Sequence, residues 1–289
     1  MNGILLIDKP AGWTSSDVVA KLRGVLHEKR VGHSGTLDPM ATGLLVLFVG
    51  RATRAVSFAE AQDKVYRASL RLGISTDTQD ITGTPIGGAP RPVSREELEA
   101  ALARFRGEQL QLPPMYSAIK VRGKKLYEIA RRGGEVEREK RLVTIYALDV
   151  LGEADGDWLL RVHCSKGTYV RTLCHDIGEA LGCGGCMSAL RRERAGCFKL
   201  ADAHTIEEVI AAAEQGRAEA LLLPLDRLFA QYPALRVGAA GERKVRCGNA
   251  LPTRTPAGDY RLYGESGDFL ALVRVQDGEM KTVKSFFEV

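Results

Sequence analysis

The 289-residue sequence has no long hydrophobic run, no internal repeat and no low-complexity tract. Its first apolar stretch ends at Ile7, because Asp8 and Lys9 follow. A second stretch, Leu44–Val49, is also much shorter than the ~20 residues that a membrane-spanning helix needs. We therefore expect neither an export signal nor a membrane anchor, and we predict a cytoplasmic protein.

Cysteine is absent from the first half of the chain. The six cysteines are Cys164, Cys174, Cys183, Cys186, Cys197 and Cys247. A chain of this length buries a sizeable core without disulfides, so we expect free thiols. Cys183 and Cys186 supply two ligands, whereas a structural zinc site has four. We predict no metal; the alternative is a zinc site completed by Cys174, His175 or Cys197.

Charge of either sign is in only small excess, since 41 Lys and Arg face 36 Asp and Glu. The net charge of +5 does not by itself indicate a polyanionic partner. Between Ile119 and Leu142, however, the chain has nine basic residues and four glutamates: Lys120, Arg122, Lys124, Lys125, Arg131, Arg132, Arg138, Lys140, Arg141, Glu128, Glu135, Glu137 and Glu139. This concentration indicates a phosphate-binding segment, although a solvated helix face gives the same pattern.

Hydrophobic patterns predict a mixture of strands and helices in the first 232 residues. Buried strands are expected at Ile4–Ile7 and Leu44–Val49, with a helix capped by Ser15 or Ser16 between them. Further strands are expected at Val65–Leu72, Val143–Leu151 and Trp158–Cys164. Helices are expected after Ser94, from Thr168 onward with Arg171 in the first turn, and after Thr205. Without strict alternation, these elements favour an α+β domain over a doubly wound parallel one.

Beyond residue 232 the pattern changes to short strands and turns. An Asp277-Gly278 turn separates two strand-like segments, Leu270–Val275 and Met280–Phe287. We predict two domains, residues 1–232 and a small β domain at 233–289.

A polar loop from Gly32 to Gly43 lies between two core elements and contains three glycines and one proline. Such a loop can bring its backbone close to a ligand, and functional groups collect on loops held by rigid scaffolds. Asp38 precedes Pro39, which is also the sequence of an ordinary turn. Composition alone leaves both interpretations open.

The stretch from Gly32 to Leu45, Gly-His-Ser-Gly-Thr-Leu-Asp-Pro-Met-Ala-Thr-Gly-Leu-Leu, resembles the catalytic stretch of the TruB family of tRNA pseudouridine-55 synthases. Other segments resemble the family in the same order: Asp8-Lys9-Pro10-Ala11-Gly12-Trp13-Thr14-Ser15, Lys64-Val65-Tyr66-Arg67, Pro113-Pro114-Met115-Tyr116-Ser117-Ala118-Ile119-Lys120, Gly167-Thr168-Tyr169-Val170-Arg171-Thr172 and Leu190-Arg191-Arg192. The resemblance spans residues 3 to about 200. It implies a pseudouridine synthase fold, with a mixed, largely antiparallel sheet flanked by helices and a PUA-like barrel at the C-terminus.

The resemblance also implies a function and a set of residues. The chain would be a monomeric isomerase that converts uridine 55 in the T loop of tRNA without a guide RNA or a cofactor. Asp38 would be the nucleophile, Arg171 its charge partner, and Tyr66 a stacking surface that helps to move a proton. His33 would wedge into the RNA loop as the target base turns outward, and the basic segment at about 114–142 would close over the RNA. The remaining substrate-binding residues implied are Tyr169, Leu190, Lys9 and Lys120.

Pseudouridine formation moves the link between ribose and uracil from nitrogen to carbon, so nothing is lost and no redox cofactor is needed. An ionised carboxylate can attack the anomeric carbon or an electrophilic ring carbon, and both routes stay open. Burial raises the pKa of an aspartate, so a water-excluded Asp38 needs a cation such as Arg171 to stay charged.

Two other functions share part of this pattern. A non-catalytic RNA-binding protein would have the basic segment and the terminal β domain, but would not need Asp38 paired with Arg171. The catalytic subunit of a guide-RNA complex would share the catalytic core. The basic insertion after Pro114 disfavours it, since guided enzymes select their target by base pairing.

Overall fold

The computed structural model describes residues 1–117, 119–121, 123–130 and 132–287. Its helices are α1 (Ser15–Val25), α2 (Val56–Glu60), α3 (Arg95–Ala103), α4 (Leu126–Ala130), α5 (Val170–Ala180), α6 (Ile206–Glu214) and α7 (Ala239–Arg246). The strands in the first 200 residues are β1 (Gly3–Lys9), β2 (Val31–Ser34), β3 (Thr42–Val49), β4 (Lys64–Leu72), β5 (Ser75–Thr76), β6 (Pro85–Gly87), β7 (Gly107–Gln111), β8 (Lys120–Val121), β9 (Lys124–Lys125), β10 (Arg141–Ala154), β11 (Asp157–Cys164), β12 (Gly185–Ala195) and β13 (Phe198–Lys199). The later strands are β14 (Ala234–Arg236), β15 (Leu251–Pro252), β16 (Gly258–Tyr263), β17 (Phe269–Gln276) and β18 (Glu279–Ser285).

A large central sheet carries the order β1-β3-β12-β4-β11-β10-β7, with β2 beside β3 and β13 beside β12. The β12–β3 pair is parallel and the other pairs in this sheet are antiparallel. The prediction of an α+β fold with a mixed, largely antiparallel sheet is therefore confirmed. Because β3 and β12 are neighbours, residues almost 150 positions apart in sequence meet at the middle of the sheet.

The predicted apolar faces form the core. Tyr66, Ala68 and Leu70 of β4 lie on one buried face, as the alternation in that strand predicts. Helices α3 and α5 cover this face and add Leu98 and Leu173 to the same cluster. A separate cluster joins α1 and α6 to β1 and β3. The core thus holds both sides of the Asp38 loop in place.

The start of α1 differs from the prediction that Ser15 or Ser16 caps it. Thr14 is the N-cap: its hydroxyl accepts from the Asp17 N–H at 3.0 Å, and the Asp17 carboxylate accepts from the Thr14 N–H at 2.9 Å. The Ser15 hydroxyl is buried and engaged elsewhere, with the backbone of Leu37. The predicted caps at Ser94 and Thr205 are confirmed.

The C-terminal segment forms a second sheet in the order β14-β16-β17-β18-β15. Asp277 and Gly278 both have positive φ, 54° and 75°, and make the predicted tight turn between β17 and β18. Leu272 and Phe286 of this segment pack with Phe229 and Phe48 in one apolar cluster. The second sheet is therefore packed directly against the part of the chain that forms the large central sheet. Within the described ranges no helix is long and apolar enough to cross a membrane.

Candidate active site

The loop between β2 and β3 carries Asp38 and is anchored on both sides of it. Leu37 is buried; its N–H donates to the Ser15 hydroxyl at 2.9 Å, and that hydroxyl lies 3.3 Å from the Leu37 carbonyl. On the other side, the Gly12 N–H donates to the Pro39 carbonyl at 2.8 Å. These contacts fix the backbone around Asp38 against the chain segment that joins β1 to α1.

Lys9 lies beneath the same loop and is fully buried. Its ammonium donates to the carbonyls of Pro10 at 2.8 Å, Trp13 at 2.7 Å and Pro39 at 3.3 Å. Burial lowers its pKa to about 8, although the Asp38 carboxylate opposes that shift. The contacts described for this side chain are thus with the loop backbone, and the prediction that Lys9 binds substrate stays a prediction.

Arg192 is a second buried cation next to the loop, and sequence reasoning did not assign it a role beyond the motif that contains it. Its Nε donates to the Leu44 carbonyl at 2.7 Å and one terminal nitrogen donates to the Gly35 carbonyl at 3.0 Å. An L side chain at Gly35 would be strained, because its φ is +82° and an added Cβ would lie 3.3 Å from the Arg192 guanidinium. Arg192 therefore fixes the start of the loop and the first residues of β3.

Arg171 and Asp38 form the predicted pair. The Arg171 Nε lies 2.9 Å from the Asp38 Oδ2, and Nη2 lies 3.3 Å from Oδ1. The guanidinium is 6% exposed, whereas the carboxylate is 35% exposed. The arginine is thus a buried support, and the carboxylate is the part of the pair that a substrate can reach.

The other Arg171 donors are also occupied. Nη2 donates to the Tyr116 carbonyl at 2.7 Å, and Nη1 donates to the Thr78 carbonyl at 3.2 Å. Nη1 also lies 3.4 Å from the carboxylate of Asp80, which is buried. Asp80 belongs to the β5–β6 hairpin, where its Oδ1 accepts from the Thr82 N–H at 3.0 Å. Sequence reasoning missed Asp80; the signal available was a turn rich in Thr and Asp.

The pKa of Asp38 is raised from its ordinary value, mainly because burial disfavours the charged carboxylate. Arg171 acts against burial through its charge and its hydrogen bond, while the nearby Asp80 charge raises the pKa further. Removing Arg171 would therefore leave two carboxylates without the cation that they share. Arg171 is the main group that favours the ionised form of Asp38, and the charge of Lys9 acts in the same direction.

Tyr66 and Leu190 lie beside the loop, on neighbouring strands of the sheet. In the β12–β4 register Leu190 pairs with Ala68 and Arg192 with Tyr66. Tyr66 and Leu190 are both buried, in the apolar cluster that also contains Leu37. Burial raises the pKa of the Tyr66 phenol, and the Arg192 charge opposes that shift. The phenol is therefore protonated at neutral pH.

His33 lies on β2, before the Asp38 loop, and is partly exposed. Its Nδ1 is buried and has no hydrogen-bond partner within the described part of the chain. Burial and the charge of Arg192 both lower its pKa, so the imidazole is neutral at pH 7. A neutral, partly exposed ring fits the predicted wedge.

Tyr169 is the N-cap residue of α5, two positions before Arg171, and burial raises the pKa of its phenol. The side chain of Lys120, the remaining predicted contact, lies outside the described residues. Cys183 and Cys186 are buried thiols, and burial raises the pKa of Cys186 to about 11. Among the described residues there is no group of three or more His, Cys, Asp or Glu side chains that could hold a metal ion.

The geometry is that of an accessible carboxylate with a buried cation behind it and aromatic and apolar side chains beside it, an arrangement that suits nucleophilic catalysis. Two solved structures share the fold along 99% of the chain. One is a Cbf5-Nop10-Gar1 complex, with a TM-score of 0.76 at 26% identity and 85% of that chain covered. The other is an archaeal box H/ACA sRNP Nop10-Cbf5 complex, with a TM-score of 0.72 at 25% identity and 86% covered.

Family models and curated relatives cover the chain more specifically. Residues 23–170 match the TruB family pseudouridylate synthase N-terminal domain, and residues 171–230 match the tRNA pseudouridylate synthase B C-terminal domain. The chain belongs to the TruB family of pseudouridylate synthases. Proteins named tRNA pseudouridine synthase B include one from Ralstonia pickettii, 48% identical over 91% of this chain and 85% of its own length. Another, from Clostridium kluyveri, is 39% identical over 99% of this chain and 100% of its own length.

Proposed function

We propose that the chain is a stand-alone tRNA pseudouridine synthase that converts uridine 55 of the T loop, with Asp38 as its nucleophile. The observation that carries the proposal is the Asp38–Arg171 pair, in which the carboxylate is accessible and the cation behind it is buried. The relatives named above support the substrate class, since they bear the name tRNA pseudouridine synthase B over most of this chain.

The reaction is a balanced rearrangement that one carboxylate can promote. Asp38 attacks either the anomeric carbon of the ribose or carbon 6 of the uracil ring. The bond from the ribose to N1 breaks, the base turns, and a bond forms from the ribose to carbon 5. The proton on carbon 5 leaves, N1 gains a proton, and Asp38 is released unchanged. No cofactor is required for this balance.

The surrounding residues have supporting roles in this proposal. Arg171 favours the ionised, attacking form of Asp38, against the effect of burial. Tyr66 stacks on the uracil, and its protonated phenol relays the carbon 5 proton rather than acting as a free base. Leu190 and Tyr169 line the pocket for the base.

The RNA must open before Asp38 can reach a stacked uridine, and unstacking costs a few kcal/mol. His33 enters the space that the target base leaves, as a neutral ring that neither donates nor takes a proton in the chemical step. We assign residues 1–232 to the catalytic domain, with residues 114–142 and Lys120 against the RNA phosphates, and residues 233–289 to a PUA-like RNA-binding domain. Lys9 is assigned to substrate binding, and it supports the loop that carries Asp38.

The test is to incubate the purified chain with an unmodified tRNA transcript, without guide RNA, and to map pseudouridine by position. Pseudouridine at position 55 is expected, and it should be lost in Asp38→Asn. Asp149→Asn is the matched control, because Asp149 is an exposed aspartate on β10. Activity retained by Asp38→Asn would refute the assigned nucleophile.

The same assay distinguishes the alternatives. Tight binding of the transcript without any pseudouridine would favour a non-catalytic RNA-binding protein. Conversion only after a guide RNA is added would favour a guided catalytic subunit. The guided alternative is worth testing because this chain shares its fold with the two solved complexes named above.

A further inference from the structure

A buried glutamine, Gln111, contacts the backbone at the start of α5. It is the last residue of β7 and is 6% exposed. Its side-chain Oε1 accepts from the Tyr169 N–H at 2.8 Å, and its Nε2 donates to the Tyr169 carbonyl at 3.0 Å. One amide thus engages both backbone groups of a single residue 58 positions away in sequence.

This contact lies at the start of helix α5, which has no side-chain cap of its own. Tyr169 is the N-cap residue and makes no side-chain capping bond. Its carbonyl also accepts the first helical hydrogen bond, from Leu173 N–H at 3.1 Å. The Gln111 amide therefore fixes the point at which the helix begins, and Arg171 follows two residues later.

The segment that follows Gln111 makes a second contact that supports Arg171. Five residues after Gln111, the Tyr116 carbonyl accepts from Arg171 Nη2 at 2.7 Å. Residues 111–116 therefore hold Arg171 through the helix backbone at one end and through the guanidinium at the other. A shift of α5 by a fraction of an ångström would move the guanidinium relative to Asp38, because Arg171 is too tightly enclosed to adjust independently.

We propose that Gln111 is a positioning residue for the reaction: through the backbone of Tyr169 it holds the Arg171 guanidinium in line with the Asp38 carboxylate. This inference rests on the proposed function. Gln111 itself does not touch the substrate. Its effect is on the chemical step, because a displaced guanidinium leaves the nucleophile misaligned and less readily ionised.

The experiment compares Gln111→Met, which keeps the size but removes both hydrogen bonds, with Gln109→Met. Gln109 lies on the same strand, and its side-chain amide donates to the Phe105 carbonyl, away from α5. Single-turnover and steady-state rates are measured on the unmodified tRNA transcript. For Gln111→Met we expect kcat to fall ~30-fold to 100-fold with KM within about twofold of wild type. Gln109→Met should keep wild-type values.

Two further readouts separate positioning from a general loss of stability. The acid limb of the kcat profile should move to higher pH in Gln111→Met, because a less aligned cation leaves the pKa of Asp38 higher. In an Arg171→Lys background, Gln111→Met should lower kcat by less than ~3-fold, since both changes act through the same contact. An unshifted acid limb, or losses that multiply fully in the double variant, would overturn the inference.

Should Gln111→Met fail to fold by circular dichroism, Gln111→Glu serves instead, since it keeps the acceptor for the Tyr169 N–H and removes the donor. The same fall in kcat and the same change in pH profile are then expected. An active wild type with a fully active Gln111→Glu variant would overturn the inference and leave the proposed function intact. An inactive wild type would overturn the proposed function, and this inference with it.

Discussion

Replacing Arg171 with lysine keeps the positive charge but removes the planar fork that holds it. The guanidinium contacts two carboxylates and two backbone carbonyls, with distances from 2.7 to 3.4 Å. A lysine ammonium has three donors at a single nitrogen and cannot reach acceptors that lie on opposite sides of the fork. The guanidinium makes five such contacts with the described part of the chain, and lysine has only three donors, so at least two of the contacts are lost.

The loss can be estimated from these contacts. Each hydrogen bond to a charged group contributes ~1.5–3 kcal/mol, so two lost bonds destabilise the fold by about 3–6 kcal/mol. That is a large part of the ~5–15 kcal/mol that stabilises an ordinary protein, and it lowers the melting temperature by roughly 10 °C. Because Asp38 also loses its two-point alignment, kcat should fall ~100-fold, while KM changes little.

The assay is release of tritium from carbon 5 of uridine in the tRNA transcript, with a thermal melt of the same preparation. Arg171→Met separates charge from geometry: without the cation, burial and Asp80 both raise the pKa of Asp38. Activity requires the ionised carboxylate, so the acid limb of the pH profile of activity moves to higher pH in both variants. The shift is larger in Arg171→Met than in Arg171→Lys. Arg95→Lys is the control, because the Arg95 side chain lies on the exposed side of α3. Wild-type kcat and an unchanged melting temperature in Arg171→Lys would refute the role of the guanidinium fork.

Three more substitutions test other contacts. Asp80→Asn removes a charge that raises the pKa of Asp38, so the acid limb of the pH profile of kcat should move to lower pH, and a shift to higher pH would contradict this. The value of kcat should also fall ~10-fold, because Arg171 is less well aligned without the Asp80 carboxylate. The single-turnover rate of His33→Phe should stay within ~3-fold of wild type, whereas that of His33→Ala should fall ~100-fold, because the ring acts as a wedge and unstacking costs a few kcal/mol. Equal losses in the two variants would refute the wedge. Burial lowers the pKa of Lys64 from 10.5 to about 8, so the charged form is disfavoured in the folded state. The free energy of unfolding of wild type, measured with urea, should therefore rise by about 2 kcal/mol relative to that of Lys64→Met between pH 7.5 and 9.5, and a difference that does not change with pH would refute this.

Much of the fold follows from local patterns in the sequence. Strand alternation predicts the buried face of β4, and the pair Thr205 and Glu208 predicts the start of α6, because each signal lies within a few residues. The start of α1 was predicted wrongly for the opposite reason. Which of three adjacent hydroxyls becomes the cap depends on Ser15, whose partner Leu37 lies 22 positions away.

The residues of the candidate site, too, have partners that lie too far away in sequence for local patterns to predict. Asp38 and Arg171 were predicted from a family resemblance, not from composition, and their contact spans 133 positions. Asp80 and Gln111 were missed, because a turn rich in Thr and Asp does not indicate which carboxylate reaches the site, and a Gln at the end of a strand has no local signature. Their partners, Arg171 and Tyr169, are 91 and 58 positions away. Only the fold brings such residues together.

Asp38 and Arg171 are supported by separate parts of the molecule. Asp38 lies on a loop held by Ser15 and by two buried cations, whereas Arg171 is held by backbone carbonyls and the Asp80 carboxylate. Neither support is provided by the substrate, so the charge pair is already formed before RNA binds. Preorganised charge need not be rearranged during the reaction. In the proposed reaction, the reorganisation that remains belongs to the RNA, which must release its uridine from the stack, and this is the step in which His33 has its role.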